Sequence, residues 1–203
     1  MALIDHVVLE APDVEAAGRF YAAAFGLDDR LRLQRSDAHT EGFRGFTMSL
    51  IVSQPADADA LIDAAVEAGA TSLKPAKKSL WGYGGAVQAP DGTIWTVASS
   101  ARKNSGPAAR QIDDIVLQLG VEDVAASKRF YVDRGFTVTK SFGRRYAEFA
   151  PPSSPIKLAF TKRRALAKVA GVDPEGGGSR RLLIAGDAGP FTDPDGFTWT
   201  SAQ

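Results

Sequence analysis

The sequence predicts an α+β chain built as two tandem copies of one unit, and three observations carry that reading. The phrase "APDGTIWTVA" at residues 89–98 is echoed by "DPDGFTWTSA" at residues 193–202, each a Pro-Asp-Gly turn, two residues, a tryptophan and a threonine. The segment "IDHVVLEAPDVEAAGRFY" (4–21) lines up with "IDDIVLQLGVEDVAASKRFY" (112–131), with two extra residues placed in the turn of the second copy. Between the copies runs "SSARKNSGPAAR" (99–110), polar and small-residue-rich like a linker. Self-similarity at a fixed offset decides a fold ahead of any local pattern. The expected division is 1–98 for the first module, 99–110 for the linker and 111–203 for the second.

Each copy opens with a strand. In the first, Ile4, His6, Val8 and Glu10 share a face while Val7 and Leu9 point the other way. In the second, the corresponding faces are Ile112, Asp114, Val116, Gln118 and Ile115, Leu117, Leu119. Polar residues recur at two phases, His6/Asp114 and Glu10/Gln118, which a strand buried on both faces does not need; one face is read as lining a wet concavity. Asp13 and Asp123 then serve as N-caps, accepting the unpaired N–H groups of a first helical turn. Val14, Ala17, Phe20, Tyr21 and Ala24 follow at helical spacing, as do Val124, Ser127, Phe130 and Tyr131. Gly26 and Gly135 are the stop signals.

Further strands are read in "LRLQR", "FTMSLIV", "FTVTKSF", "YAEF" and "IKLAF", and second helices at Leu61–Val66 and in "RRALAKVAG". Each Pro-Asp-Gly makes a tight turn into the last strand, with Ile94, Thr96 and Ala98 on one face and Trp95 and Val97 opposite. Trp95 and Trp199 are expected in the core. Each unit is then strand, helix and several strands with one sheet face uncovered, and two such units can cover each other.

Composition narrows the function classes. The chain is long enough for one domain or two small ones. It has no cysteine, which excludes disulfides, thiolate catalysis and thiolate metal sites. No apolar run approaches a membrane span, and the N-terminal segment lacks a secretory pattern, so a cytoplasmic protein with no membrane partner is expected. Residues 1–102 hold 9 basic and 13 acidic side chains, and residues 103–203 hold 15 and 11. Lys162-Arg163-Arg164 with Arg180-Arg181 is the only candidate for a concentrated basic surface and is read as a solvated face, so no nucleic-acid partner is expected.

The opening "IDHVVLEAPDVEAAGRFY" and closing "WGYGGAVQAPDGTIW" resemble the vicinal oxygen chelate superfamily, which includes glyoxalase I, bleomycin-resistance proteins, fosfomycin-resistance enzymes and extradiol dioxygenases. The resemblance implies two βαβββ modules pairing into a curved sheet of about eight strands, helices on its convex side and a ligand cup on its concave side. Metal-dependent members take ligands from the first strand, His or Gln, and from the last, a Glu after the Pro-Asp-Gly turn. Carried over, those places are His6, Asp114, Thr96 and Thr200, of which only His6 is a usual ligand. A threonine hydroxyl is a poor donor for a divalent ion.

His6 is therefore read as a histidine hydrogen-bonded in a polar pocket, with a metal site around His6 and Asp114 as the alternative. His39, in "RSDAHTEGF", is read as a loop residue that joins such a site only if its loop folds over the cup. No Gly-x-Ser-x-Gly is present, and "GGG" at 176–178 lacks the Lys-Ser/Thr of a phosphate loop and is read as a mobile connection. Glu10, Asp114 and Glu148 are the carboxylates available for acid–base chemistry. Aromatic side chains suit a planar ligand, so the expected lining is His6, Glu10, Phe46, Met48, Trp81, Tyr83, Thr96, Asp114, Gln118, Tyr146 and Thr200. The functional expectation is a protein that holds a small, partly aromatic molecule in its cup with no cofactor. The alternative is a divalent-metal-dependent lyase or dioxygenase of the glyoxalase or extradiol type. Either works as a monomer with internal pseudo-dimer symmetry or as a homodimer.

Overall fold

A computed structural model describes residues 2–26, 28–80 and 82–202. The described residues form four helices and fifteen strands. The first half contains β1 (Ile4–Ala11), α1 (Val14–Ala24), β2 (Leu31–Arg35), β3 (Thr40–Gly42), β4 (Phe46–Ile51), α2 (Pro55–Glu67), β5 (Thr71–Ser79), β6 (Gly82–Gln88) and β7 (Ile94–Ser99). The second contains β8 (Asp114–Val121), α3 (Val124–Val132), β9 (Lys140–Ser141), β10 (Tyr146–Phe149), β11 (Lys157–Lys162), α4 (Arg163–Ala170), β12 (Gly176–Gly178), β13 (Leu182–Gly186), β14 (Phe191–Thr192) and β15 (Thr198–Ser201).

The strands assemble into a curved eight-stranded sheet, β5-β6-β7-β4-β8-β11-β10-β9, and a five-stranded sheet, β14-β15-β13-β1-β2. Each sheet takes strands from both halves of the sequence: β4 pairs with β8, and β1 pairs with β13, both antiparallel. The two halves are thus exchanged across a pseudo-two-fold relation. The glycines at 176–178, expected to be a mobile connection, form β12 instead and pair with β3. A Cβ on Gly176 would collide with the Phe43 carbonyl oxygen, so only glycine permits that approach.

The α+β reading and the N-caps hold. Asp13 accepts from the Ala16 N–H, and Asp123 accepts from the N–H groups of Ala125 and Ala126. Gly26 and Gly135 end their helices with φ of +61° and +88°. One continuous apolar cluster joins the inner faces of both sheets to α1, α2 and α3. Trp95 and Trp199 lie at its centre, fully buried. Each tryptophan donates its indole N–H to a helix tyrosine, Trp95 to Tyr21 at 3.4 Å and Trp199 to Tyr131 at 2.9 Å. Each tyrosine then donates to an aspartate of the Pro-Asp-Gly turn region, Tyr21 to Asp91 and Tyr131 to Asp193, both at 2.7 Å. The repeated phrase and the repeated "RFY" are therefore two ends of one contact, made once per half.

The segment expected as a linker, 99–110, begins inside β7 with Ser99 and is held down beyond it. Gln54 accepts from the backbone N–H groups of Ser105 and Gly106, Asp57 accepts from Ala109, and Arg110 donates to the carbonyls of Ala23 and Ala24. No helix among the described residues is long and apolar enough to cross a membrane.

Candidate functional site

In paired strands, residues opposite one another share a face. The face of the eight-stranded sheet away from the main core therefore carries Thr47, Ser49 and Ile51 from β4, Thr96 and Ala98 from β7, Asp114, Val116 and Gln118 from β8, Lys157 and Ala159 from β11, and Tyr146 and Glu148 from β10. Its floor is a hydrogen-bonded triad. Ser49 Oγ lies 2.5 Å from Thr96 Oγ1, and Gln118 Nε2 donates to Ser49 Oγ at 2.9 Å. On one side Lys157 Nζ donates to Asp114 at 2.5 Å, and on the other Tyr146 donates to Glu148 at 2.5 Å. Burial, then the hydrogen bond to the Glu148 carboxylate, holds the Tyr146 phenol well above its ordinary range, so it is a donor at neutral pH.

One end of this cup is roofed. Leu166, Ala167 and Ala170 of α4 pack with Phe43 and Ile94 in a small apolar cluster of their own. Arg163 fastens the start of α4 by donating to the carbonyls of Phe43 and Pro174. Lys74 fastens its end by donating to the carbonyls of Lys168 and Val169. At the other end Val116, Gln118, Asp114 and Lys157 are partly exposed.

The five-stranded sheet has its own outer face. His6 pairs with Ala185 and Ala185 with Thr200, while Val8 pairs with Leu183 and Leu183 with Thr198. His6 is buried, and its Nδ1 lies 2.7 Å from Asp5 Oδ2. Beyond Val8 a cleft of about 470 Å³ opens, lined by Glu10, Leu183, Thr198, Ser179, Arg180 and the backbone of 176–178.

The strand registers correct the alignment of the two halves. Trp95 pairs with Met48, which pairs with Leu117, whereas Trp199 pairs with Ile184, which pairs with Val7. Val7 is thus equivalent to Leu117, an offset of 110 that also relates Asp13 to Asp123 and needs no insertion. The structural partner of His6 is Val116, and that of Asp114 is Ile4. A bulge at Asp5, where the register shifts between Ile4 and His6, breaks the first strand's alternation near this point.

Several expected site residues are relocated. Phe46 and Met48 point into the main core beside Trp95, because β4 buries its apolar phase there and turns Thr47 and Ser49 to the cup. Tyr83 also faces the helix side and donates to Asp59 of α2 at 2.7 Å. That bond, more than burial, pushes its phenol up to about 12. Trp81 lies outside the described residues. His39 is exposed in the lead into β3, where its backbone oxygen accepts from Ser179, and it does not cover His6. Thr96, Asp114, Gln118 and Tyr146 come together in the eight-stranded cup, and His6, Glu10 and Thr200 on the other sheet. Ser49 and Lys157 join the first group; the signal for Ser49 was its polar phase within "FTMSLI".

A divalent ion does not fit this donor set. His6 and Asp114 stand on different sheets at inequivalent positions, Asp114 is held by Lys157, and the last-strand donors are Thr96 and Thr200. Among the described residues no three His, Asp or Glu side chains come together.

No family model matches the sequence, and no curated protein matches it. Solved structures do share its fold. Glyoxalase I from Zea mays superposes with a TM-score of 0.60 at 14% identity, covering 98% of this chain and 91% of that one. A mutant of the same maize enzyme superposes with a TM-score of 0.61 at 14% identity over 98% and 92%. A protein described as a putative dioxygenase from Bacillus subtilis gives 0.54 at 10% identity, covering 90% of this chain and 69% of that one.

Proposed function

The chain has the vicinal oxygen chelate fold, and on that premise we propose that it binds a small molecule in the eight-stranded cup without a divalent metal. The observation that carries this reading is the floor triad of Ser49, Thr96 and Gln118. Three neutral groups that donate and accept hydrogen bonds suit a carbonyl, amide or hydroxyl headgroup, whereas a divalent ion needs carboxylate or imidazole donors. Around that floor the Lys157–Asp114 pair and the Tyr146–Glu148 pair supply charge at two sides. The Tyr146 ring, with Phe142 at 6.0 Å between centroids, forms an aromatic lip for the flat part of the ligand. The role that follows is sequestration or sensing of the bound molecule.

Thermal-shift screening of planar compounds with a polar head tests the reading, with Thr96→Val and Gln118→Leu as controls. Hits that stabilise the wild type and lose their effect in both variants support it. Elemental analysis is the counter-test: stoichiometric Ni, Zn, Fe or Mn that disappears in His6→Ala overturns it.

A further inference from the structure

We propose that Arg163 and Arg180 together form a binding site for a small phosphate-type oxyanion at the seam between α4 and β13. The two residues belong to the separate basic clusters of the sequence, and the fold brings their guanidinium groups onto one glycine. A Cβ on Gly45 would lie 2.5 Å from Arg163 Nη1 and 3.0 Å from Arg180 Nη1. Gly45 has a φ of +88°, so the chain turns there with no side chain between the two cations.

Neither guanidinium is neutralised. Among the described residues no carboxylate forms an ion pair with Arg163 or Arg180. Their acceptors are all backbone carbonyls: Pro174 and Phe43 for Arg163, Arg44 and Asp195 for Arg180. Those bonds fix both planes yet leave Arg163 Nη1 and Arg180 Nε with no acceptor among the described residues. Two rigidly held, partly buried cations side by side repel; burial and then the Arg180 charge lower the Arg163 pKa, with only Glu175 opposing. An oxyanion placed between them turns that repulsion into two charge-assisted contacts, the geometry for which guanidinium is suited.

The surroundings carry the same sign. The exposed Lys162 and Arg164 flank Arg163, and α4 starts with no acidic residue in its first turn and no side-chain cap. The Nη1 atoms of Arg163 and Arg180 meet at one glycine, which suits a single tetrahedral anion rather than an extended polyanion. The site is independent of the polar cup floor.

The full chain is to be titrated with inorganic phosphate at constant ionic strength, following Tm and the ³¹P linewidth. At ten times the dissociation constant the expected rise in Tm is roughly 3–5 °C. The rise and the line broadening persist in Arg164→Gln and disappear in Arg180→Gln and Arg163→Gln. Arg180→Lys, which keeps the charge but not the fork, weakens binding several-fold and serves if a glutamine variant fails to fold. An unchanged rise in Arg180→Gln or Arg180→Lys, no rise in the wild type, or binding of a single-stranded oligonucleotide with none of phosphate overturns the proposal.

Discussion

Replacing Tyr131 by phenylalanine removes one oxygen from the centre of the second half. That oxygen donates to Asp193 at 2.7 Å and accepts the Trp199 indole N–H at 2.9 Å. Trp199 is 1% exposed and Asp193 5%, so water replaces neither bond. A buried donor left unpaired costs about 1–3 kcal/mol, and a lost bond to a charged acceptor a similar amount. Asp193 retains the N–H groups of Asp195 and Phe197, which limits its share. The expected loss is about 3 kcal/mol, or roughly 9 °C in Tm for a chain of this size. In the first half the same change is milder, because the Trp95 bond is long at 3.4 Å and Asp91 is partly exposed. Tyr21→Phe should cost about 1 kcal/mol. Urea unfolding followed by tryptophan fluorescence measures both. The deficit of Tyr131→Phe should also shrink on acidification, because burial already raises the Asp193 pKa in the folded protein. Protonation then relieves the buried charge as pH falls through that value. Equal losses in the two variants, or a Tyr131→Phe protein as stable as wild type, would refute the reasoning.

Alkali gives a second measurement. Burial, then the neighbouring aspartates, raises the pKa of Tyr21 and Tyr131 well above 10.0 in the folded state. Their contribution is complete below pH 10 and is lost as pH rises from there toward the folded values, so the unfolding midpoint should fall steeply above pH 10 and less so in the double phenylalanine variant. Gly45→Ala combines a φ of +88° with two guanidinium groups at the new methyl and should cost roughly 1–3 kcal/mol. Gly26→Ala, with a φ of +61° and open space, should cost only about 1 kcal/mol, an order that urea midpoints check. Lys74→Met releases the last turn of α4, and hydrogen exchange should quicken across 163–170 while β4 and β8 keep their protection.

The duplication, the caps and the tryptophan-bearing last strands were legible because each is a local signal written twice. The first-strand alignment was not, because the shared Ile-Asp at 4–5 and 112–113 drew His6 onto Asp114. The caps Asp13 and Asp123 held the better clue, since measuring back from them places His6 on Val116 without a gap. Strand alternation separated Phe46 and Met48 from Thr47 and Ser49 but did not say which set met the helices; that depends on partners far away in sequence. Likewise, nothing local showed that α4 would cover the cup face instead of joining α1, α2 and α3. Tyr83 was misplaced for a related reason: its partner, Asp59, lies on a helix 24 residues away.

The exchange of strands between the halves bears on how the two sheets come to differ. A dimer of identical single units, joined by the same pairing, would build two sheets related by symmetry, and every substitution would fall in both at once. Joining the units through 99–110 leaves the pairing in place but frees each sheet to change alone. One has placed serine and threonine side by side at its floor, and the other puts alanine at the serine position, beside His6. The cost falls on folding, since neither sheet can close until strands from both halves of the chain have met, which favours slow, cooperative assembly. Cutting the chain within the linker should therefore leave two fragments that are unfolded apart and native together.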